Sequence, residues 1–301
     1  MTMIAMNAQA SDLYTTHKPL LLSLAYRMLG SMSEAEDIVH EAFLAFDASA
    51  NESIDNVRAY LCKIVTNRCI DRLRKLKKER TAYIGPWLPE PWVDDSGAAD
   101  PQQSLERKDT LSTAFLLLLE KLTPAERSVF VLREALDYEY GEIAGIVGKS
   151  EANCRQLLRR ARMKLAGWEE AQQPRTARSS ALVDEFVAAL SAGDAGRLMR
   201  VFTTDAALLS DGGGKVIAAK RPILDPQLIA TFLVSVNEKR KEASGIEMTT
   251  VNGLPGFIQH VGGSVHGVYS FALRDGLISA IYIMRNPEKL RHIQISASHG
   301  A

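Results

Sequence analysis

The chain has 301 residues with 36 basic and 36 acidic side chains, enough for two or three domains with ordinary cores. Its opening stretch MTMIAMNAQASDLY has neither a basic nor a continuous apolar region, and no later stretch approaches the roughly 18 apolar residues of a membrane span, so a cytoplasmic protein without membrane contact is expected. Cys62, Cys69 and Cys154 lack C-x-x-C spacing and are too few for a disulfide framework, so they read as reduced packing residues.

Charge balance over the whole chain hides a local reversal. Between residues 31 and 60 seven acidic residues face only Arg58, whereas from 61 to 80 eight basic residues outweigh Asp71 and Glu79. Two adjacent surfaces of opposite sign suit two different partners. In the acidic block, Ser33 and Glu36 have the spacing of a capping box that starts a helix running through Phe46. Val39, Ala42, Phe43 and Phe46 make its apolar stripe, and Glu34, Asp37 and Glu41 make an acidic one. The plain alternative for the acidic stripe is a solvated face over a core. A second helix, from about Asn56 to Lys78, buries Val57, Leu61, Ile64, Val65 and Leu73. Its C-terminal half is crowded with Arg and Lys, and Tyr60, Asn67 and Asp71 are interleaved, a composition suited to phosphates and bases.

Residues 85–101, GPWLPEPWVDDSGAADP, hold four prolines and two tryptophans and read as a linker. A featureless tether needs no Trp87, Leu88 or Trp92, so part of it is expected to dock. Helices return from about Gln103 to Gly167. Thr123-Pro124-Ala125-Glu126 combines an N-cap, a proline in the first turn and a capping-box acid. A short helix at Ile143 to Val147, a turn at Gly148 and a new N-cap at Ser150 then lead into a basic helix. That is a helix-turn-helix pattern, with Glu151, Asn153, Arg155, Gln156, Arg159 and Arg160 on the second helix.

After QQPRTARSS the composition changes again. Helices at about 181–191 and 194–202 precede alternating segments, ALLS, KVIAA, IEMTTVNG, GFIQHV and VHGVYSFALRDGLISAIYIM, interrupted by a helix near Gln227 to Lys239. Asp275-Gly276 is a hairpin signal, and the whole reads as an α+β module with a curved antiparallel sheet. Within it, LSDGGGKVI lacks the spacing of a phosphate-binding loop and does not open a helix. Val216 and Ile217 read as the start of a strand, which makes the glycines a hairpin turn. Such a turn needs only one or two residues of positive φ, so Gly212, Gly213 and Gly214 in a row imply that backbone also approaches another surface closely.

SEAEDIVHEAFLAF, NVRAYLCKIVTNRCIDRLRK and LTPAERSVFVLREALDYEYGEIAGIVGKSEANCRQLLRRARMKL resemble regions 2 and 4 of the extracytoplasmic-function sigma factors, over about residues 12–167. The remainder resembles the SnoaL-like cone fold, and WLPEP, DGGGK, VNGLPG and NPEKL are similar to signatures of the subgroup with this extension. The resemblance implies two all-α sigma-factor domains followed by an α+β SnoaL-like domain. The boundaries expected are region 2 at 1–80, a linker at 81–105, region 4 at 106–170, a linker at 171–180 and the cone domain at 181–301.

The roles implied follow that division. Glu34, Asp37 and Glu41 would bind the clamp helices of the RNA polymerase β′ subunit within a core enzyme that also supplies β. The loop from Ala48 to Asp55, with Tyr60, Asn67, Asp71, Arg72 and Arg74, would recognise and open the promoter −10 element. Residues 150–165 would enter the major groove at the −35 element. Asp211 to Lys215, that is Asp211, Gly212, Gly213, Gly214 and Lys215, would contact the linker at Trp87, Leu88 and Pro89 and regulate the spacing of the two DNA-reading parts. Relatives with the cone fold include enzymes that use Asp or His, and Asp205, Asp211, His260, His266 and Tyr269 are the residues on offer. None has a spacing that demands catalysis, so no catalytic residue, metal or cofactor is expected, although a small ligand in the cone is possible. The competing reading is an enzyme or ligand-sensing cone fused to a DNA-binding module.

Overall fold

A computed structural model describes residues 2–48, 54, 56–93, 111–166, 177–239 and 244–293. Of the expected −10 loop only Ala48 and Ile54 are among these residues, and the expected linker beyond Val93 lies outside them. The chain forms two compact units: Met1–Glu79 joined by Asp100–Arg107 and Leu118–Ala166, and Arg80–Ala99 joined by Lys108–Leu117 and Gly167–Ala301.

The first unit is helical. It contains α1 (Thr2–Leu29), α2 (Met32–Ala48), α3 (Val57–Glu79), the last residues of α4 (Thr113–Leu119), α5 (Pro124–Phe130), α6 (Tyr140–Val147) and α7 (Glu151–Lys164). α2 starts earlier than the Ser33 box predicts, because Ser31 Oγ accepts the N–H of Glu34 and caps the helix two residues upstream. The Thr123 capping box forms as expected, with Thr123 Oγ1 accepting from Glu126 N–H and the Glu126 carboxylate accepting from Thr123 N–H. Leu21, Leu24, Val39, Leu61, Val65, Phe130, Ile143 and Leu158 are all buried here, each contributing about 2–3 kcal/mol of transfer free energy. The three cysteines are buried thiols.

The helices before and after residue 100 pack on one another. Tyr138 hydroxyl accepts from Arg58 Nε at 3.1 Å and lies 3.2 Å from Cys62 Sγ, while the buried Arg127 donates to the carbonyl of Met28 at 2.7 Å and pairs with Glu120.

The second unit is α+β. After α8 (Ala177–Ser191) and α9 (Ala195–Arg200) come β1 (Phe202–Asp211), α10 (Pro226–Glu238), β2 (Ser244–Val251), β3 (Leu254–Val261), β4 (Ser264–Arg274) and β5 (Leu277–Met284). The strand order is β1-β5-β4-β3-β2. The sheet is mixed and not wholly antiparallel as expected, because β1 pairs parallel to β5. Asp275 and Gly276 form the expected hairpin turn, both at positive φ. Residues 215–219 form no strand, contrary to the pattern of Val216 and Ile217. DGGGK is therefore not a hairpin turn: the chain folds back through a Lys215 N–H to Gly212 carbonyl bond.

Period-two alternation gives the sheet two buried faces. Phe257, Tyr269, Phe271, Ile281 and Ile283 face α8–α10, with Phe186 packed among the rings. Ile258, Val268, Ala280, Tyr282 and Met284 point the other way, where Leu88 of the linker, Leu290, Ile293 and the partly buried Ala114 and Leu117 cover them.

Candidate functional sites

On α3 the helical repeat divides the candidate residues. Tyr60, Asn67, Asp71 and Arg74 fall on one outward stripe together with Lys63 and Lys78, at spacings of three and four. Arg74 pairs with Asp71 at 2.8 Å and Tyr60 packs near Phe46. Arg72 lies on the opposite side, against α2, where its guanidinium bonds Glu34 at 2.7 Å and Glu79 at 2.9 Å. The hydrogen bond to Glu34 is the main cause that raises its pKa beyond the ordinary arginine value. Glu41 is likewise paired, with Arg68. Of the three acidic candidates Asp37 alone has no hydrogen bond or ion pair among the described residues, and it is exposed.

α6 and α7 make the helix-turn-helix. Gly148 closes α6 in the left-handed conformation, and Ser150 Oγ accepts from Asn153 N–H to start α7. Cys154, Leu157, Leu158 and Ala161 bury one face. Glu151, Asn153, Arg155, Gln156, Arg159 and Arg160 are all exposed. Arg155 is engaged locally, paired with Glu151 at 2.8 Å and placed 4.7 Å from the Tyr140 ring, and Arg162 and Lys164 pair with Glu134 and Glu126. Gln156 and Arg159 therefore stand near the middle of the outward face, with Arg155 and Arg160 at its edges.

In the second unit the candidate residues of the glycine turn meet the linker. The Asp211 side chain is fully buried and accepts four hydrogen bonds: Tyr83 Oη at 2.6 Å, Leu88 N–H at 2.9 Å, Gly213 N–H at 2.9 Å and Lys289 Nζ at 2.8 Å. Lys289 also donates to the Leu88 carbonyl and lies 4.3 Å from the centre of the Trp87 ring, whose other neighbour is the Arg80 guanidinium at 3.5 Å. Burial pulls the Lys289 pKa down to about 8, against the opposing pull of Asp211. Burial and then Asp211 push the Tyr83 phenol well above its ordinary value.

The three glycines meet three different obstacles. A Cβ on Gly213 would stand 2.3 Å from Asn286 Nδ2, one on Gly214 2.8 Å from Ile84 Cδ1, and one on Gly212 2.6 Å from the Val216 carbonyl. Gly213 and Gly214 also have positive φ. Lys215 pairs with Glu288, and no hydrogen bond or ion pair joins it to Trp87, Leu88 or Pro89 among the described residues. Pro89 is buried, and the next proline, Pro91, accepts a hydrogen bond from His292 Nε2 through its carbonyl.

Sequence reasoning did not single out Tyr83, Asn252, Asn286 or Lys289, although NPEKL and VNGLPG contain three of them. Asn252, at positive φ in the β2–β3 turn, accepts Trp92 N–H at 2.7 Å and returns its own N–H to the Trp92 carbonyl. Its Nδ2 donates to Thr113 Oγ1, which lies 2.9 Å from Ser270 Oγ. One side chain thus holds both Trp92 and Thr113, the residues flanking 93–112.

The remaining polar residues of the cone do not converge. Asp205 pairs with Arg274, His266 accepts from Arg285, Tyr269 donates to Gln259, and the His260 ring lies against Gly245. Among the described residues no cluster of His, Cys, Asp or Glu could hold a metal ion, and no helix is long and apolar enough to cross a membrane.

Comparison with known proteins matches this division. Residues 13–79 fit the family model described as sigma-70 region 2, and residues 112–165 the one described as sigma-70, region 4. The ECF RNA polymerase sigma factor SigJ of Mycobacterium tuberculosis is 30% identical over 281 residues, which cover 89% of this chain and 89% of the relative. The probable ECF RNA polymerase sigma factor SigI of the same organism is 28% identical over 293 residues, 96% of this chain and 98% of its own. The crystal structure of M. tuberculosis SigJ superposes with a TM-score of 0.76 at 28% identity, covering 93% of this chain and 98% of the other.

Proposed function

The chain belongs to the ECF RNA polymerase sigma factors, and from that premise we propose that its α+β unit regulates promoter use by holding both ends of the segment that joins region 2 to region 4. A sigma factor directs core RNA polymerase to promoter DNA, and that work is done in the cytoplasm. In this reading Asp37, with Glu34 and Glu41 beside it, meets the clamp helices of β′. The stripe of Tyr60, Asn67, Asp71 and Arg74 opens the −10 element, and Gln156 and Arg159, flanked by Arg155 and Arg160, read the −35 element in the major groove. Arg and Gln side chains suit this role because they bond guanine and adenine edges bidentately.

The observation that carries the regulatory part is the double attachment. Asp211 holds Leu88, and Asn252 holds both Trp92 and Thr113. The two promoter elements take their names from positions about 25 base pairs apart, roughly 85 Å of duplex at about 3.4 Å per base pair. Regions 2 and 4 touch at Arg58 and Tyr138, so reading both elements requires them to separate. A connecting segment tied at both ends to one asparagine resists that separation, and polymerase and promoter must supply the free energy that releases it.

A regulator fits the cone better than an enzyme, since Asp205, His260, His266 and Tyr269 are dispersed and engaged one by one. The test is transcription in vitro with purified core polymerase and a candidate promoter. A promoter-specific transcript that rises when Asn252→Ala loosens the attachment supports the reading. Turnover of a small molecule by the chain, with no such transcript, supports the alternative.

A further inference from the structure

Between α10 and the inner face of the sheet lies a cavity of about 110 Å³. Leu190, Phe232, Leu233, Val236 and Ile283 supply most of its wall. Apolar cavities on the order of 150 Å³ hold benzene, so this one accepts a molecule of about one ring. Its polar members are Ser210, Asn237, Tyr269 and Arg285, of which Asn237 donates to the Leu190 carbonyl and Tyr269 to Gln259. Arg285 is the one charged side chain lining it, its guanidinium bonded to His266 and to the Ile217 carbonyl, and Ser210, 3% exposed, lines the same space. A guanidinium and a hydroxyl in the wall of a mostly apolar chamber suit a carboxylate on an apolar body.

The same wall borders a second space. Ser210, Ile217, Ala218, Ala219 and Arg285 also line the adjoining groove of about 610 Å³, whose other side is formed by Ile84, Gly85, Gly212, Gly214 and Lys215. Arg285 donates to the Ile217 carbonyl at 2.6 Å, and its main-chain N–H donates to the Asp211 carbonyl at 2.7 Å. An anion that draws the guanidinium toward the cavity therefore acts on the strip 217–219 and on the strand end that carries Asp211.

We propose that the cavity binds a compact monocarboxylate, one apolar ring or branched chain in size, with its acid group at Arg285 and Ser210, and that occupancy shifts residues 217–219 and with them the Asp211 attachment of the linker. The second half rests on the regulatory reading above, while the first half stands without it.

Benzoate and toluene, similar in size and differing in charge, are the probes, used with the full-length chain. Calorimetric titration should show benzoate binding on the order of tenfold tighter than toluene, about 1.4 kcal/mol for the charge-assisted contact. Leu233→Trp and, as a milder filling, Val236→Phe should abolish binding of both, and Arg285→Gln should erase the preference for benzoate. Saturating benzoate should also change the fluorescence of Trp87, and Trp87→Phe should remove that change. Absence of benzoate binding up to about 10 mM, weaker than any specific site of this size should be, overturns the proposal. So does binding that survives both filling variants. Binding without any Trp87 response overturns the coupling alone, and a failure of Asn252→Ala to alter transcription tells against the regulatory reading and not against the cavity.

Discussion

The carboxylate of Asp211 accepts the main-chain N–H of Leu88 at 2.9 Å across 123 positions of sequence. The bond is neither a surface contact nor a lone one, since Tyr83, Gly213 and Lys289 converge on the same two oxygens. Asp211→Ala should cost about 3–5 kcal/mol, because it leaves the Lys289 ammonium buried without its counter-charge. Asp211→Asn should cost less, since it keeps acceptor capacity for Leu88 or Tyr83. Lys215→Ala breaks only a half-exposed pair with Glu288 and should cost less than about 1 kcal/mol. Chemical denaturation of the full chain, followed by tryptophan fluorescence, separates the three.

Lys289 makes this attachment pH-dependent. Its pKa is about 8 in the folded chain against an ordinary 10.5. Below pH 8 both states hold the proton, and above about 10.5 both have lost it. Between the two the unfolded state binds more protons, so stability rises with pH, by up to about 3 kcal/mol over the window. The difference in stability between the unaltered chain and Lys289→Met, measured from pH 7 to about 11, should show that rise, because Tyr83, whose phenol is raised, works in the opposite sense at the alkaline end in both.

Glycine replacement distinguishes crowding from backbone strain. Gly253→Ala, at φ +78 with nothing within 4 Å of the new Cβ, should cost about 1–2 kcal/mol for the left-handed conformation alone. Gly213→Ala has a similar strain at φ +58 and adds a contact of 2.3 Å with Asn286, which holds Tyr83. It should cost at least a further 1 kcal/mol and should also weaken the attachment of residues 83–88, measured as faster proteolysis in the linker.

These contacts show what sequence reading reached. Gly148, Ser150, Thr123 and Asp275-Gly276 were legible because a cap or tight turn is decided by a few neighbouring residues. Three glycines in a row correctly signalled a close approach. Val216 and Ile217 misled because their β-branched preference is local, while Gly213 and Gly214 are set by Asn286 and Ile84, far away in sequence. The parallel pairing of β1 with β5 depends on a return across some 70 residues that alternation cannot register. Lys289 was missed because nothing in its neighbourhood distinguishes a buried lysine from an exposed one. Arg72 looked like its basic neighbours until α2 brought Glu34 to it.

On α7, Arg159→Ala and Gln156→Ala should each cost about 1–3 kcal/mol in promoter binding and relax preference at one base position. Arg162→Ala removes a side chain tied to Glu134 and should leave base preference unchanged. Binding of a randomised −35 duplex pool by the holoenzyme, read by sequencing, reports both effects.

If the α+β unit restrains promoter use by holding the start of region 4, as proposed, Thr113 and Ser270 allow that hold to be locked. Their hydroxyl oxygens lie 2.9 Å apart, so Thr113→Cys with Ser270→Cys places two sulfurs close enough to bond. Promoter-specific transcription with core polymerase is then measured for the oxidised and the reduced forms of this one protein. The oxidised form should lose most of its transcript, and reduction should restore it to at least the level of the unaltered chain, since Thr113→Cys also gives up the hydroxyl that Asn252 holds. Equal transcription from a fully cross-linked and a fully reduced preparation would contradict the proposed restraint.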